Sequence, residues 1–308
     1  MINRRNIRVK VMQTLYTMST LEKETKPGDV VRILQKHFEQ TRQLFIYLTY
    51  FLSEVAHYAE TDAQLRAGKH LLTYEDLHVS TKIAGNEVLS KILEDASFKE
   101  FENKDKPQLL LDKELVRKVY HELVEAKEYK KYIATQQREK KEEREILEFI
   151  LDKFLLSKET FLSHVEENFS NWEDDGEMVI QLLVNYLQKP GTYNFKEMIS
   201  EEKWSFAKSL LQTVQEKAEY LENFVIPKLK NWDPERIALL DMILMKMGVA
   251  EFLYFETIPP KVTINEYIDL AKEYSTSQSG QFVNGILDNI HKELVQQGKM
   301  HKVDFRKA

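Results

Sequence analysis

Residues 231–237 read Asn231-Trp232-Asp233-Pro234-Glu235-Arg236-Ile237, and an apolar helical stretch follows. Two further blocks come after it. One is Ile258-Pro259-Pro260-Lys261-Val262-Thr263-Ile264-Asn265-Glu266, the other Ser279-Gly280-Gln281-Phe282-Val283-Asn284-Gly285-Ile286-Leu287. Each block punctuates a helix. Asp233 is a natural N-cap with Pro234 at the first helical position. Ile237, Leu240, Ile243, Leu244 and Met247 then recur at helical spacing toward a core. Thr263 and Glu266 stand at capping-box spacing, with Tyr267, Leu270 and Ala271 on the helix they would open. Residues 275–280 form a polar loop. The last helix turns Phe282, Ile286, Ile290 and Leu294 inward, with Val283 and Leu287 alongside. Gly285 inside it costs about 1 kcal/mol against Ala, which predicts close approach of a neighbouring backbone there.

Working outward, Ser200-Glu201-Glu202 opens a helix expected to run to about Phe224, limited by Pro227. At the other end of the chain a helix is expected over residues 4–20. Ile7, Val11, Leu15 and Met18 make one apolar stripe. Arg5, Arg8, Met12 and Tyr16 make an adjacent one. Cations beside an exposed ring suit single-stranded nucleic acid, because the charges hold phosphates and the ring stacks on a base. Read on pattern alone, the plainer alternative is a solvated helix edge with Met12 and Tyr16 in the core.

Charge distribution bears on that choice. The chain carries a formal charge of −6, against a generic nucleic-acid coat. Yet residues 1–21 hold Arg4, Arg5, Arg8 and Lys10 with no acid, and the tail adds Lys299, Lys302, Arg306 and Lys307 against Asp304. Local charge steers a polyanion within a Debye length, whatever the average.

The middle of the chain reads as helical too. Pro27-Gly28-Asp29 marks a break, and residues 30–66 read as a long helix rich in aromatics. Thr73 with Asp76 resembles a capping box. Residues 113–145 read as strongly helical, ending in a mixed-sign run from Arg138 to Glu145 expected to be a solvated face with i,i+4 pairs. A weak repeat at 60 residues pairs Asn171-Trp172-Glu173 with Asn231-Trp232-Asp233. It also sets Ile150, Leu151, Phe154, Phe161, Val165 and Phe169 opposite Leu210, Leu211, Val214, Leu221, Val225 and Leu229. Residues 145–190 are therefore a candidate duplicate of 205–250.

Several function classes fall away. The chain has no cysteine, which excludes disulfides, Cys-ligated zinc and thiol catalysis and fits a cytoplasmic setting. No run of 18 apolar residues spans a membrane. The longest candidate, residues 44–52, reads as buried helix. Arg8 and Lys10 interrupt any signal-peptide core, leaving a transit peptide as the rival reading of the basic N-terminus. No Gly-rich phosphate loop, nucleophile elbow or His-Glu-x-x-His is present. Glu54/His57 and Glu75/His78 have the Glu-x-x-His spacing of di-iron bundles, without the two further inward acids such sites need. They read as ordinary helix-surface pairs. No enzyme, metal or cofactor is expected.

The three C-terminal blocks, in this order, together with Arg4-Arg5-Asn6-Ile7-Arg8 leading to Leu15-Tyr16, resemble the NusB family of transcription antitermination proteins. The resemblance implies an all-α fold, a NusB-like helical bundle with an additional helical insertion. The bundle would comprise residues 1–21 and 200–308, and the insertion residues 22–199. It implies pairing with the ribosomal protein NusE, binding of a boxA-type single-stranded RNA, and loading onto a transcribing RNA polymerase complex during ribosomal RNA synthesis. Carried over residue by residue, the RNA-binding set is Arg4, Arg5, Arg8, Lys10, Tyr16, Gln278, Gln281 and Phe282. Asp241 matches an acidic position at the partner interface. The loop before Phe282 carries no charge here, where relatives often have charged residues. Certain RNA cytosine methyltransferases carry a NusB-like domain, but this chain lacks their cysteine nucleophile and Gly-rich cofactor loop.

Four phosphate contacts would give a salt slope of about −2.8, and Arg5→Ala with Arg8→Ala is expected to abolish most RNA affinity without unfolding the chain. The competing class is a helical protein–protein adaptor without RNA binding. The insertion, with 26 Lys and Arg against 34 Asp and Glu and many aromatics, suits that role.

Overall fold

A computed structural model describes residues 2–21, 27–229 and 237–303. Every regular element among them is helical. In chain order these are α1 (Arg4–Thr20), α2 (Pro27–Ala67), α3 (Tyr74–Leu77), α4 (Glu87–Glu94), α5 (Ala96–Asp105), α6 (Lys113–Leu123), α7 (Lys127–Ala134) and α8 (Lys140–Glu148). There follow α9 (Glu159–Asn168), α10 (Trp172–Gln188), α11 (Glu201–Glu216), α12 (Ala218–Val225), α13 (Leu239–Tyr254), α14 (Pro260–Tyr274) and α15 (Ser279–Gln296). The chain divides into two compact units, one of residues 2–37 and 199–308, the other of residues 38–198.

The first unit is organised on α13. Ile243, Leu244, Met245, Met247, Val249, Ala250 and Phe252 are all buried. A helix apolar on every side belongs at the centre of a bundle, and α1, α11, α12, α14 and α15 pack around it. Ser200 caps α11 by accepting from Lys203 N. The helix expected to reach Phe224 breaks at Lys217 into α11 and α12, and Pro227 sits in a 3-10 turn beyond. α1 runs from Arg4 to Thr20, capped by Asn3. The expected N-cap at Asp233, Trp232, and the tail cations Arg306 and Lys307 lie outside the described residues.

Two expectations here are corrected. The Thr263–Glu266 capping box does not form: α14 begins four residues earlier, with Pro259 as its N-cap. The two prolines start the helix, because proline fixes φ and the first helical position needs no N–H donor. Thr263 is thereby carried into the helix interior and buried. Gly285 meets no neighbour within 4 Å, so it mediates no close approach. The crowded glycines are Gly248, where a Cβ would lie 2.8 Å from Leu287 Cδ2, and Gly280, where it would lie 2.6 Å from Lys272 Cγ, and side chains rather than backbone crowd them.

The second unit is built on α2 from Phe38 onward. Residues 44–48, together with Phe51, Leu52, Val55 and Ala56, are buried. Phe45 packs on Tyr186 and Phe195, and Phe51 on Phe161. Thr73 and Asp76 form the reciprocal capping box. The continuous helix expected over 113–145 is instead α6, α7 and α8. Ala126 and Thr135 take extended backbone, and Lys82 Nζ donates to the carbonyls of Tyr132, Thr135 and Gln137 at the end of α7. The mixed-sign run is only partly a solvated face. Lys141–Glu145 and Arg144–Glu148 are the expected i,i+4 pairs. Glu143 is buried and accepts from Arg138, from Tyr132 OH (2.7 Å) and from Glu87 N (2.8 Å).

All twelve apolar residues of the 60-residue repeat are buried. Adding 60 to the numbering of α9 brings it onto α12 and the 3-10 turn that follows.

Thermal denaturation tests the glycine assignments. Gly285→Ala should raise stability by about 0.5–1 kcal/mol, the helix-interior difference at an open site. Gly248→Ala should lower it by about 1–3 kcal/mol, because Leu287 is itself buried and has no room to yield.

Candidate nucleic-acid interface

α1 carries most of the expected site, and its cations divide sharply. Arg8 and Lys10 are each 2% exposed. Arg8 Nε donates to Glu251 Oε1 at 2.7 Å and Nη2 to Glu251 Oε2 at 3.1 Å. Nη1 lies 3.3 Å from Glu266 Oε2. Glu251, on α13, is fully buried and also accepts from Thr263 Oγ1 and Tyr267 OH, both at 2.9 Å. Four donors match the capacity of an ionised carboxylate. Burial works against the Arg8 charge, but the hydrogen bond to Glu251 together with the charges of Tyr267, Glu251 and Glu266 outweighs it, holding the guanidinium above its ordinary pKa. Burial pushes the Tyr267 phenol well up.

This network explains the second sequence block. Thr263, Glu266 and Tyr267 sit on the face of α14 that meets Arg8, so the motif closes a buried ion pair rather than capping a helix. The stripe expected to face a nucleic acid is corrected accordingly. Arg8 and Met12 are interior, and Lys10 is buried. The double variant Arg5→Ala with Arg8→Ala would therefore strip a buried carboxylate of its cation and disturb the fold.

The outward cations are Arg4 and Arg5. Arg4 Nη2 meets Glu202 at 3.0 Å, and Arg5 Nη2 meets Glu273 at 2.7 Å. Both pairs are solvent-exposed, so both are screened and weak. Tyr16 is 45% exposed, on the same helical stripe as Arg5 and about 16 Å along it by helical rise.

Glu273 lies in the last turn of α14, just before the loop to α15. In that loop Gln278 is exposed, as is Gln281 on α15, while Phe282 is half-buried. Asp241 anchors the loop from below. It is 5% exposed, and its Oδ2 accepts from Ser279 Oγ at 2.7 Å. Ser279 Oγ accepts in turn from Thr276 N and lies 3.0 Å from Ser275 Oγ. Asp241 thus positions the loop instead of presenting its carboxylate to a partner, which corrects its expected placement.

Of the tail cations, Lys302 turns inward. Its Nζ donates to the carbonyls of Glu251 and Phe255 at the end of α13, both at 2.7 Å, and burial pulls its pKa down to about 8. Glu251 was not singled out from the sequence, and Lys302 was read there only as one of the tail cations. An acid in the apolar second half of α13, residues 248–254, was the available signal for Glu251. Among the described residues no group of three or more His, Asp or Glu is placed to hold a metal.

A NusB family model matches residues 161–292, so the matched stretch begins within the second unit and runs through most of the first. The chain is similar to the transcription antitermination protein NusB of Salinibacter ruber, 37% identical over 138 residues, covering 44% of this chain and 79% of that protein. It is 33% identical over 126 residues to the NusB of Methylacidiphilum infernorum, covering 38% and 87%. It is 42% identical over 94 residues to that of Chloroherpeton thalassium, where it spans 43% of the relative's length. A solved structure of T. maritima NusB matches with 27% identity over 40% of this chain and 82% of that one, at a TM-score of 0.30. The chain belongs to the NusB family, whose members are not enzymes.

Denaturant unfolding separates the two kinds of arginine. Arg8→Ala should lower stability by about 3–5 kcal/mol, the cost of a buried charge left unpaired. Arg5→Ala should change it by about 0–1 kcal/mol.

Proposed function

We propose that this protein is an RNA-binding transcription antitermination factor of the cytoplasm. It pairs with NusE, binds a boxA-type single-stranded RNA and supports elongation of ribosomal RNA transcripts by RNA polymerase. The observation that carries the reading is the Arg5–Glu273 contact. It brings the basic, acid-free start of α1 beside the Asp241-anchored loop bearing Gln278 and the first turn of α15 bearing Gln281. Cations for phosphates and amides for base edges then share one surface, which is what single-stranded RNA recognition requires. Arg4 and Arg5 are the phosphate contacts, Gln278 and Gln281 read base edges, and Tyr16 and Phe282 supply rings for stacking. Arg8 acts from beneath by fixing α1 to Glu251, and Lys10 is buried on the same helix.

The adaptor reading has its own observation. Leu71, Leu72, Tyr74 and Leu77 stand exposed in the second unit, and clustered exposed apolar residues mark interaction surfaces.

Fluorescence anisotropy of a boxA-type RNA, with and without NusE at two salt concentrations, tests the proposal. The two phosphate contacts of α1 contribute about −1.4 to the log–log salt slope, so through them a fourfold rise in salt weakens binding about sevenfold. Arg4→Ala with Arg5→Ala should flatten that response and leave the melting temperature nearly unchanged. Glu202→Gln with Glu273→Gln should tighten binding by about fivefold, since each exposed pair competes with RNA by under about 1 kcal/mol. Absence of sequence preference with and without NusE would favour the adaptor.

A further inference from the structure

The second unit contains a cavity of about 230 Å³. Three stretches far apart in sequence build it: one face of α2, the turn after α5, and the 168–171 link between α9 and α10. Its walls are rich in carboxamides. Gln40 and Gln43 line it one helical turn apart and make no hydrogen bond among the described residues. Asn168 Nδ2 donates to His164 O at 2.8 Å and Asn171 Nδ2 to Asp175 Oδ2 at 2.6 Å, which leaves both amide oxygens as acceptors. Asn171 belongs to the repeated Asn-Trp-acid motif that the α1 site does not use. Phe169 supplies an apolar wall, its ring backed by Tyr47 at 5.0 Å.

The rim adds a cation in an unusual conformation. Lys106 has φ 50°, the single positive φ outside glycine among the described residues. Lys106 is the left-handed cap that ends α5, its N–H donating to Glu102 O at 2.9 Å, a position that glycine fills more readily. The neighbouring Asp105 carboxylate is engaged by Arg42 Nε and Nη2 at 3.0 and 3.1 Å. Lys106 makes no ion pair among the described residues, and it is exposed.

Size and chemistry narrow the occupant. The volume is below the roughly 300 Å³ at which pockets for drug-sized ligands begin, so the cavity suits a single ring system. Each carboxamide offers donors and acceptors together, the mixed pattern found on the edge of a splayed nucleobase. An exposed ammonium at the mouth suits the phosphate attached to that base.

We propose that this cavity receives one unstacked base of a single-stranded RNA, with Lys106 on the adjoining phosphate. It is a second RNA contact, lying in the unit that the NusB resemblance reads as an insertion. The proposal rests on the RNA-binding reading of the chain but on none of the residues of α1 or α15.

The test uses the full chain, a fluorescein-labelled boxA-type RNA and three single variants. Gln43→Ala should weaken binding about fivefold with the salt slope unchanged, since it removes a base contact and no charge. Lys106→Gly should reduce the magnitude of the slope by about 0.7, one phosphate contact on a single strand. The same variant should raise the melting temperature by about 2 °C, because glycine adopts the left-handed conformation freely. Weaker RNA binding in a more stable protein is an outcome that a purely structural role for Lys106 does not produce. Arg5→Ala is the comparator. If it weakens binding while both cavity variants match the parent, the cavity is not a nucleotide site and the α1 site stands. If the cavity variants weaken binding and Arg5→Ala does not, the cavity stands and the α1 site falls. If Gln43→Ala leaves RNA affinity intact but weakens NusE binding, the occupant is a peptide and the nucleotide assignment is overturned.

Discussion

The buried pair of Arg8 and Glu251 is the constraint on which the first unit depends. It joins residues 243 positions apart and ties α1 to the central helix of the bundle. An unpaired charge in that place would not be tolerated, so the surrounding donors follow from it. Thr263 and Tyr267 complete the carboxylate, Glu266 reaches the remaining guanidinium nitrogen, and α14 must start early enough to bring all three to the right face. A strained or shifted α14 would break the network, and the Pro259-Pro260 start fixes its register.

The same pair sets what α1 can offer to a ligand. A helix anchored through Arg8 has its rotation about its own axis decided. Arg4 and Arg5 then point outward, as does Tyr16, while Met12 and Lys10 are committed to the interior. The outward cations rest on Glu202 and Glu273 in weak, screened pairs that a polyphosphate can replace. A strong buried ion pair for position and weak exposed ones for exchange is a coherent division of labour along one helix. The Asp241–Ser279 bond does the equivalent for the loop, holding it from below so that Gln278 and Gln281 remain in solvent.

Much of this was legible in the sequence. The limits of α1, the Ser200 cap, the Thr73–Asp76 capping box and the buried run at residues 44–52 follow from local rules: periodicity, capping chemistry and apolar content. The all-α class and the family follow from the C-terminal blocks. Misreadings arose where a residue had two possible partners. Thr263 has capping-box spacing, yet its hydroxyl serves Glu251. Gly285 sits at a helix position that predicts crowding, yet Gly248 and Gly280 are the crowded ones. Glu143 lies in a charge run that reads as solvent-facing, yet it is a buried acceptor for Tyr132, Arg138 and Glu87.

What the sequence determined by itself is the helical content, most of the helix limits, the family, and the presence of a basic, acid-free first helix. Which of those basic residues face solvent was decided only by tertiary structure. Helical periodicity states which side chains share a face, but not which face another element will cover. An arginine is equally at home on a wet surface or in a dry bidentate pair. Only the arrival of Glu251 from the far end of the chain distinguishes Arg8 from Arg5.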